Sequence, residues 1–259
     1  MAESVDVLRA EVLAGLPHGF LGRRGGVSTG DVAGLNVGLG AGDDGESVTE
    51  NRARAVAAVL PGARLTTVYQ VHSPDCVVVT APWADDARPH ADAMVTNQPG
   101  LLLGIVTADC APMLFVDREA GVIGAAHAGW KGAIGGVTDR TIAAMETLGA
   151  SRDRIAAAIG PCIAAASYEV DDRFMAQFCE SDADNCAYFS AGKPGHWQFD
   201  LEAYVAKRLT AAGLSQIERL GHDTYAHSAR FFSFRRATHL GQATYGRQFS
   251  LIGLPMEPV

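Results

Sequence analysis

The sequence predicts one domain of mixed α and β class over residues 1–259, a sheet core sandwiched between helices. Three observations carry this. Continuous apolar runs at 101–109, 112–117 and 121–128 read as strands buried on both faces. Segments at 138–150, 171–180 and 200–214 read as helices, the last two with clear amphipathic spacing. No linker, internal repeat or low-complexity stretch divides the chain, and its 29 glycines cluster at the ends of short elements.

The elements follow in order. Residues 19–45 form a glycine-rich run in which backbone dominates the surface. Ser47 and Glu50 make a Ser-x-x-Glu capping box, and the helix behind it stops at Pro61-Gly62. Residues 64–71 are rich in β-branched and aromatic side chains and read as a strand. CVVVTA follows the Ser73-Pro74-Asp75 turn, so the two are expected to pair as a hairpin. The three apolar runs come next, then the helix ending at Gly149 and a buried strand at 155–160. Asp200 is the expected N-cap of the helix that follows it. The segments 217–222, 231–237 and 247–254 (IERLGH, FFSFRRA and RQFSLIGL) are expected strands.

Hydrophobic residues make up 48% of the chain and charged residues 19%, a globular composition. A net charge of −8 argues against nucleic acid as the main partner, because phosphate neutralisation needs a surplus of Lys and Arg. A local basic cluster can still bind a small anion. The N-terminus lacks the basic and apolar regions of a signal peptide, and the longest apolar stretch, near Leu101–Val106, is too short to span a bilayer. The expected location is the cytoplasm, with no membrane partner. There the five cysteines, an odd set without framework spacing, are expected to be mostly free thiols.

Among eight histidines, His72 ends an expected strand and His127 sits within an apolar one. Cys110 lies between them, where an apolar run breaks before a proline. Three such residues at strand ends can converge at one sheet edge, and three protein ligands with an open fourth position is the habit of catalytic zinc. Spacing alone lacks a compact ligand motif, and a buried small hydrophobe or a hydrogen-bonded core histidine would give the same pattern. Arg23, Arg24, Arg52 and Lys131 lie near glycine-rich or helix-start segments that can cradle phosphate, or are solvated charges. Trp130 either stacks on a planar base or packs; Arg235-Arg236 either line a pocket or form a strand-edge ion pair. Asp109, beside Cys110, is a candidate acid/base or ligand-supporting group, or a turn cap. Pro161-Cys162 lacks the second cysteine and the H-x-E of zinc base deaminases. No His-x-His pair is present for a conventional laccase.

The segments GGVSTG (25–30), LNVGLGAGDD (35–44), QVHS (70–73), ADAMVT (91–96), TADCAPMLFVD (107–117), AAHAGWKG (125–132), IGPCI (159–163) and GRQFSLIGL (246–254) are collinear over nearly the whole chain. The chain resembles the bacterial polyphenol oxidase, or laccase-domain, family, associated with purine nucleoside phosphorylase activity and peptidoglycan editing. The resemblance implies packed mixed β-sheets flanked by helices, in a four-layer α/β/β/α-like arrangement. It places zinc on His72, Cys110 and His127, with copper the alternative metal. It implies phosphorolysis of adenosine, inosine and 5′-methylthioadenosine with inorganic phosphate, and some adenosine deamination. Asn36, Arg52 and Lys131 become candidates for phosphate or nucleoside contacts. Two features depart from the pattern: AAAS stands where many relatives have a cysteine pair after IGPCI, and Asp223-Thr224 where many have Cys-Thr. Rival readings are a cysteine hydrolase on peptidoglycan precursors with Cys110 as nucleophile and His127 as base, a copper-dependent phenol oxidase, and a non-catalytic nucleotide- or precursor-binding protein.

Overall fold

The computed structural model describes residues 3–256. The first part of the chain forms β1 (Val7–Leu8), β2 (His18–Leu21), α1 (Gly45–Val59), β3 (Arg64–Thr67) and β4 (Cys76–Val78). The middle forms β5 (Ala93–Thr96), β6 (Leu101–Thr107), β7 (Ala111–Asp117), β8 (Val122–Ala128), α2 (Trp130–Gly135), α3 (Val137–Thr147) and β9 (Ala156–Ile159). The last part forms β10 (Glu169–Asp171), α4 (Asp172–Ser181), β11 (Phe189–Ala191), β12 (His196–Phe199), α5 (Leu201–Ala211), β13 (Gln216–Arg219), α6 (Phe234–His239) and β14 (Gln248–Gly253).

Two mixed sheets stack on one another. One has the order β1-β2-β14-β6-β3, the other β13-β9-β7-β8-β5-β4. A small third sheet, β10-β12-β11, lies apart from both. Strand period explains the stacking, since successive side chains point to opposite faces. Leu101, Leu103 and Ile105 of β6 pack with Met94, Leu114, Ile123 and Ala158 of the other sheet. Leu102, between them, faces the opposite way, towards Ala55 and Val59 of α1. The far face of the six-stranded sheet, with Met113, Phe115 and Ala126, packs on Ile142 and Met145 of α3 and on Tyr204, Val205 and Leu209 of α5. The order of layers is therefore helix, sheet, sheet, helix. The three apolar runs are β6, β7 and β8, with every residue of β7 and β8 buried.

Several local expectations are corrected. The N-cap of α1 is Asp44, whose carboxylate accepts from the Ser47 N–H at 2.9 Å, so Ser47 sits in the first turn and does not cap it. β3 and β4 do not form a hairpin: β3 pairs with β6 in one sheet and β4 with β5 in the other, both parallel. The strand expected over 64–71 stops at Thr67. FFSFRRA is not a strand, because Ser233 caps α6 there by accepting from the Arg236 N–H at 3.1 Å. Cys179 and Cys186 are bonded to each other, whereas Cys76, Cys110 and Cys162 are free thiols. Asp200 does cap α5, accepting from the Ala203 N–H at 2.8 Å.

Candidate metal centre

β6 and β7 lie in different sheets, so the turn Ala108–Cys110 crosses from one layer to the other. β7 and β8 pair with Pro112 opposite His127, which sets Cys110 just beyond the strand end beside that histidine. His72 comes from the turn before β4. Among the described residues, only His72 and Asp109 are non-glycine residues with φ in the left-handed region, at 62° and 85°. Such backbone is uncommon for side-chain-bearing residues and gathers at functional sites.

The donor atoms of His72, Cys110 and His127 lie within 4.8 Å of one another. His72 Nε2 is 3.9 Å from Cys110 Sγ, and the two imidazole rings meet edge to face at 4.8 Å. Tetrahedral zinc with ordinary Zn–N and Zn–S lengths needs donors roughly 3.3–3.8 Å apart, so a small contraction suffices. Gly129 borders the cluster. A Cβ there would stand 2.6 Å from His72 Cδ2 and 3.1 Å from Cys110 Sγ, which leaves room for hydrogen only.

Asp92 organises the cluster and was not singled out by sequence. It is fully buried, and its Oδ1 accepts from His127 Nδ1 at 2.7 Å. That bond fixes the tautomer and leaves Nε2 as the free ring donor atom. Oδ2 accepts from the N–H groups of Val71 (3.1 Å) and Ser73 (2.6 Å), holding the turn that carries His72. The available signal was a lone carboxylate inside the apolar run ADAMV. Burial raises the Cys110 thiol, but the facing His127 and His72 bring it down to about 7. Burial lowers His127, but Cys110 and Asp92 raise it to about 9. Cys76, pushed up to about 12 by burial, and Cys162, raised by its apolar surroundings, stay protonated.

Asp109 turns its carboxylate to α6. It accepts from Thr224 Oγ1 (2.7 Å), Ser233 Oγ (2.9 Å) and the Arg235 N–H (2.6 Å). Burial raises its pKa against those bonds. Asn36 and Arg52 do not reach the cluster. Asn36 is fully buried, donating to Asp43 Oδ2 at 2.8 Å and accepting from the N–H groups of Gly38 (3.1 Å) and Arg247 (3.0 Å). Arg52 stacks 5.2 Å from the Phe249 ring centre and pairs with Asp85 at 3.2 Å. Both side chains brace the glycine-rich segment. Arg236 donates to the carbonyls of Thr224 and Tyr225.

A cavity of about 540 Å³ opens over His72 and Cys110. Trp130, Tyr168, Phe174 and Phe234 wall it, with Lys131 and Arg235 as its cations. Trp130 packs on Phe174 at 5.0 Å and also lines the cavity. Arg235 lies over Tyr168 at 5.3 Å and donates to the Glu169 carbonyl at 2.9 Å.

A family model described as multi-copper polyphenol oxidoreductase laccase matches residues 17–255. The chain belongs to that family. A purine nucleoside phosphorylase of Deinococcus radiodurans is 41% identical, covering 98% of this chain and 95% of the relative. One from Streptomyces coelicolor is 38% identical over 90% of this chain and 95% of its own. Among solved structures, a Neisseria meningitidis protein of the DUF152 family superposes with a TM-score of 0.86 at 33% identity, over 98% of this chain and all of its own. YlmD of Geobacillus stearothermophilus gives 0.86 at 33%, over 96% of each chain. In this laccase-family chain, His72, Cys110 and His127 are the one metal-competent group of three or more among the described residues. No described helix is long and apolar enough to cross a membrane.

Proposed function

We propose that this chain is a zinc-dependent purine nucleoside phosphorylase of the cytoplasm, taking adenosine, inosine and 5′-methylthioadenosine with inorganic phosphate. One observation carries the reading: three donor atoms, His₂Cys, converge beside an aromatic-walled cavity of nucleoside size that His72 and Cys110 line. The names of the relatives at 41% and 38% identity support it.

His72, Cys110 and His127 would hold the zinc, and Asp92 orients His127 for it. A metal there supplies Lewis acidity toward an oxygen of the reactants. The chain does the rest. Trp130, Tyr168 and Phe174 stack on the purine and exclude water. A phosphate oxygen bonds to C1′ as the C1′–N9 bond breaks with oxocarbenium character. The electron pair leaves with the purine, which takes up the proton that hydrogenphosphate brought. Lys131 and Arg235 stabilise the negative charge developing on the base. Asp109 holds the Cys110 turn and the start of α6 in place. Hydrolytic deamination of adenosine, with water replacing the 6-amino group, belongs to the same cavity.

A second reading has one favouring observation, the Cys110 thiol at about 7 beside His127, which suits a nucleophile–base pair in an amidase. Protein purified without a metal-affinity tag decides between them. About one zinc per chain, with release of free base that stops when phosphate is withheld, is expected. Metal-free protein with an alkylation-sensitive amidase activity and no base release would overturn the phosphorylase reading. Activity gained with copper and accompanied by oxygen uptake would instead point to a phenol oxidase.

A further inference from the structure

Two cavities meet at the metal cluster. His72, Ala108 and Cys110 line the aromatic cavity and also a second one of about 320 Å³. His127 lines the second. The two differ in charge. Asp109, Glu169 and Asp171 line the aromatic cavity along with its two cations. The second has two arginines, Arg88 and Arg247, and no carboxylate among the described residues lining it.

We infer that the second cavity is the oxyanion subsite, which seats inorganic phosphate beside the metal cluster, where the two cavities meet and its oxygen can reach the nucleoside. Its catalytic meaning rests on the phosphorylase reading above.

Three observations carry this. Arg247 has no carboxylate partner among the described residues; its Nη2 donates to the Tyr245 hydroxyl at 3.0 Å, and its guanidinium lies 4.5 Å from that ring centre. A guanidinium anchored on one edge keeps N–H groups for a bidentate oxyanion. Second, Gly38, Leu39 and Gly40 line the cavity, and the N–H groups of Leu39 and Gly40 donate to no protein acceptor among the described residues. Successive free N–H groups on a glycine loop suit an anion. Third, Asn36 Oδ1 accepts from both the Gly38 and Arg247 N–H groups, so one buried side chain fixes loop and arginine together. Asn36 is a positioning residue for this subsite.

The test uses the zinc-loaded protein and inorganic phosphate, titrated by calorimetry and followed by ³¹P line broadening, beside steady-state kinetics with inosine. Arg247→Gln is expected to weaken phosphate binding and raise the phosphate KM by about tenfold or more, the scale of losing a hydrogen bond to a charged group. The inosine KM should stay within about twofold, and zinc content should be unchanged. Arg247→Lys should recover part of the affinity, which a folding defect would not allow. Unchanged phosphate binding in Arg247→Gln would overturn the subsite, as would a loss confined to Lys131→Met. Phosphate-dependent base release that ignores Arg247→Gln refutes the subsite and leaves the phosphorylase reading standing. Phosphate binding that Arg247→Gln abolishes, in a protein that releases no base, supports the subsite and refutes that reading.

Discussion

His127 Nδ1 donates to Asp92 Oδ1 at 2.7 Å, while the other oxygen of the same carboxylate holds the N–H groups on either side of His72. One buried acid therefore sets two of the three ligands. Asp92→Asn keeps the volume but gives up the charge and one of the acceptors. Zinc affinity is expected to fall about 10- to 100-fold, the usual effect of losing a ligand's supporting partner. Competition with a chromophoric chelator measures it. An unchanged affinity would mean that His127 needs no such support.

Cys110→Ala removes the thiolate donor. Zinc content should drop well below one per chain, and phosphate-dependent base release should disappear with it. Elemental analysis and the base-release assay on one preparation check this. Retention of both would show that the metal and the reaction lie elsewhere.

Gly129→Ala tests whether the cluster has room for a methyl group. The new Cβ meets His72 Cδ2 at 2.6 Å, and the turn must shift to relieve it. Zinc occupancy is expected to fall while the metal-free fold persists, as read by circular dichroism. Full zinc occupancy in this variant would mean that the His72 turn yields freely.

Metal affinity should rise with pH, with a break in slope. In the metal-free protein His127 titrates at about 9 and Cys110 at about 7. Both protons must leave for the metal to bind. Between those values one proton competes, so the logarithm of affinity rises by about one per pH unit. Below about 7 the thiol is protonated as well, and the slope approaches about two. Chelator competition from pH 6 to 9 gives the profile; a flat one would contradict the pair.

Phe178 is fully buried on α4, among Phe174 (5.2 Å), Phe199 (4.8 Å) and Tyr204 (5.0 Å). Phe178→Ala should destabilise the fold by about 3–5 kcal/mol. It should also raise the inosine KM, since Phe174 on the same helix walls the aromatic cavity. Urea unfolding and steady-state kinetics read the two effects separately.

The layered core was legible because β6, β7 and β8 are apolar on both faces, a pattern few other settings allow. The pairing of β3 with β6 and β4 with β5 was not, because parallel partners come from distant sequence and leave no turn signature. Phe231–Phe234 has strand composition, yet Ser233 and Asp109 together satisfy the first N–H groups of α6 and turn the segment into a helix. α2 was missed because its six residues contain two glycines. Spacing suggested His72, Cys110 and His127 only weakly; the resemblance named them. Asp92 escaped notice because a buried carboxylate shows its purpose only through its partners. The resemblance made Asn36 and Arg52 candidates for ligand contacts; in the fold Asn36 holds the Gly38 and Arg247 N–H groups and Arg52 reaches the Val37 carbonyl.

β14 lies between β2 and β6, so the last of the described strands forms the middle of the first sheet. During synthesis on the ribosome, β2 and β6 emerge long before the strand that joins them. The edges that face β14 stay unpaired until residues 248–253 have been made, so the first sheet closes late.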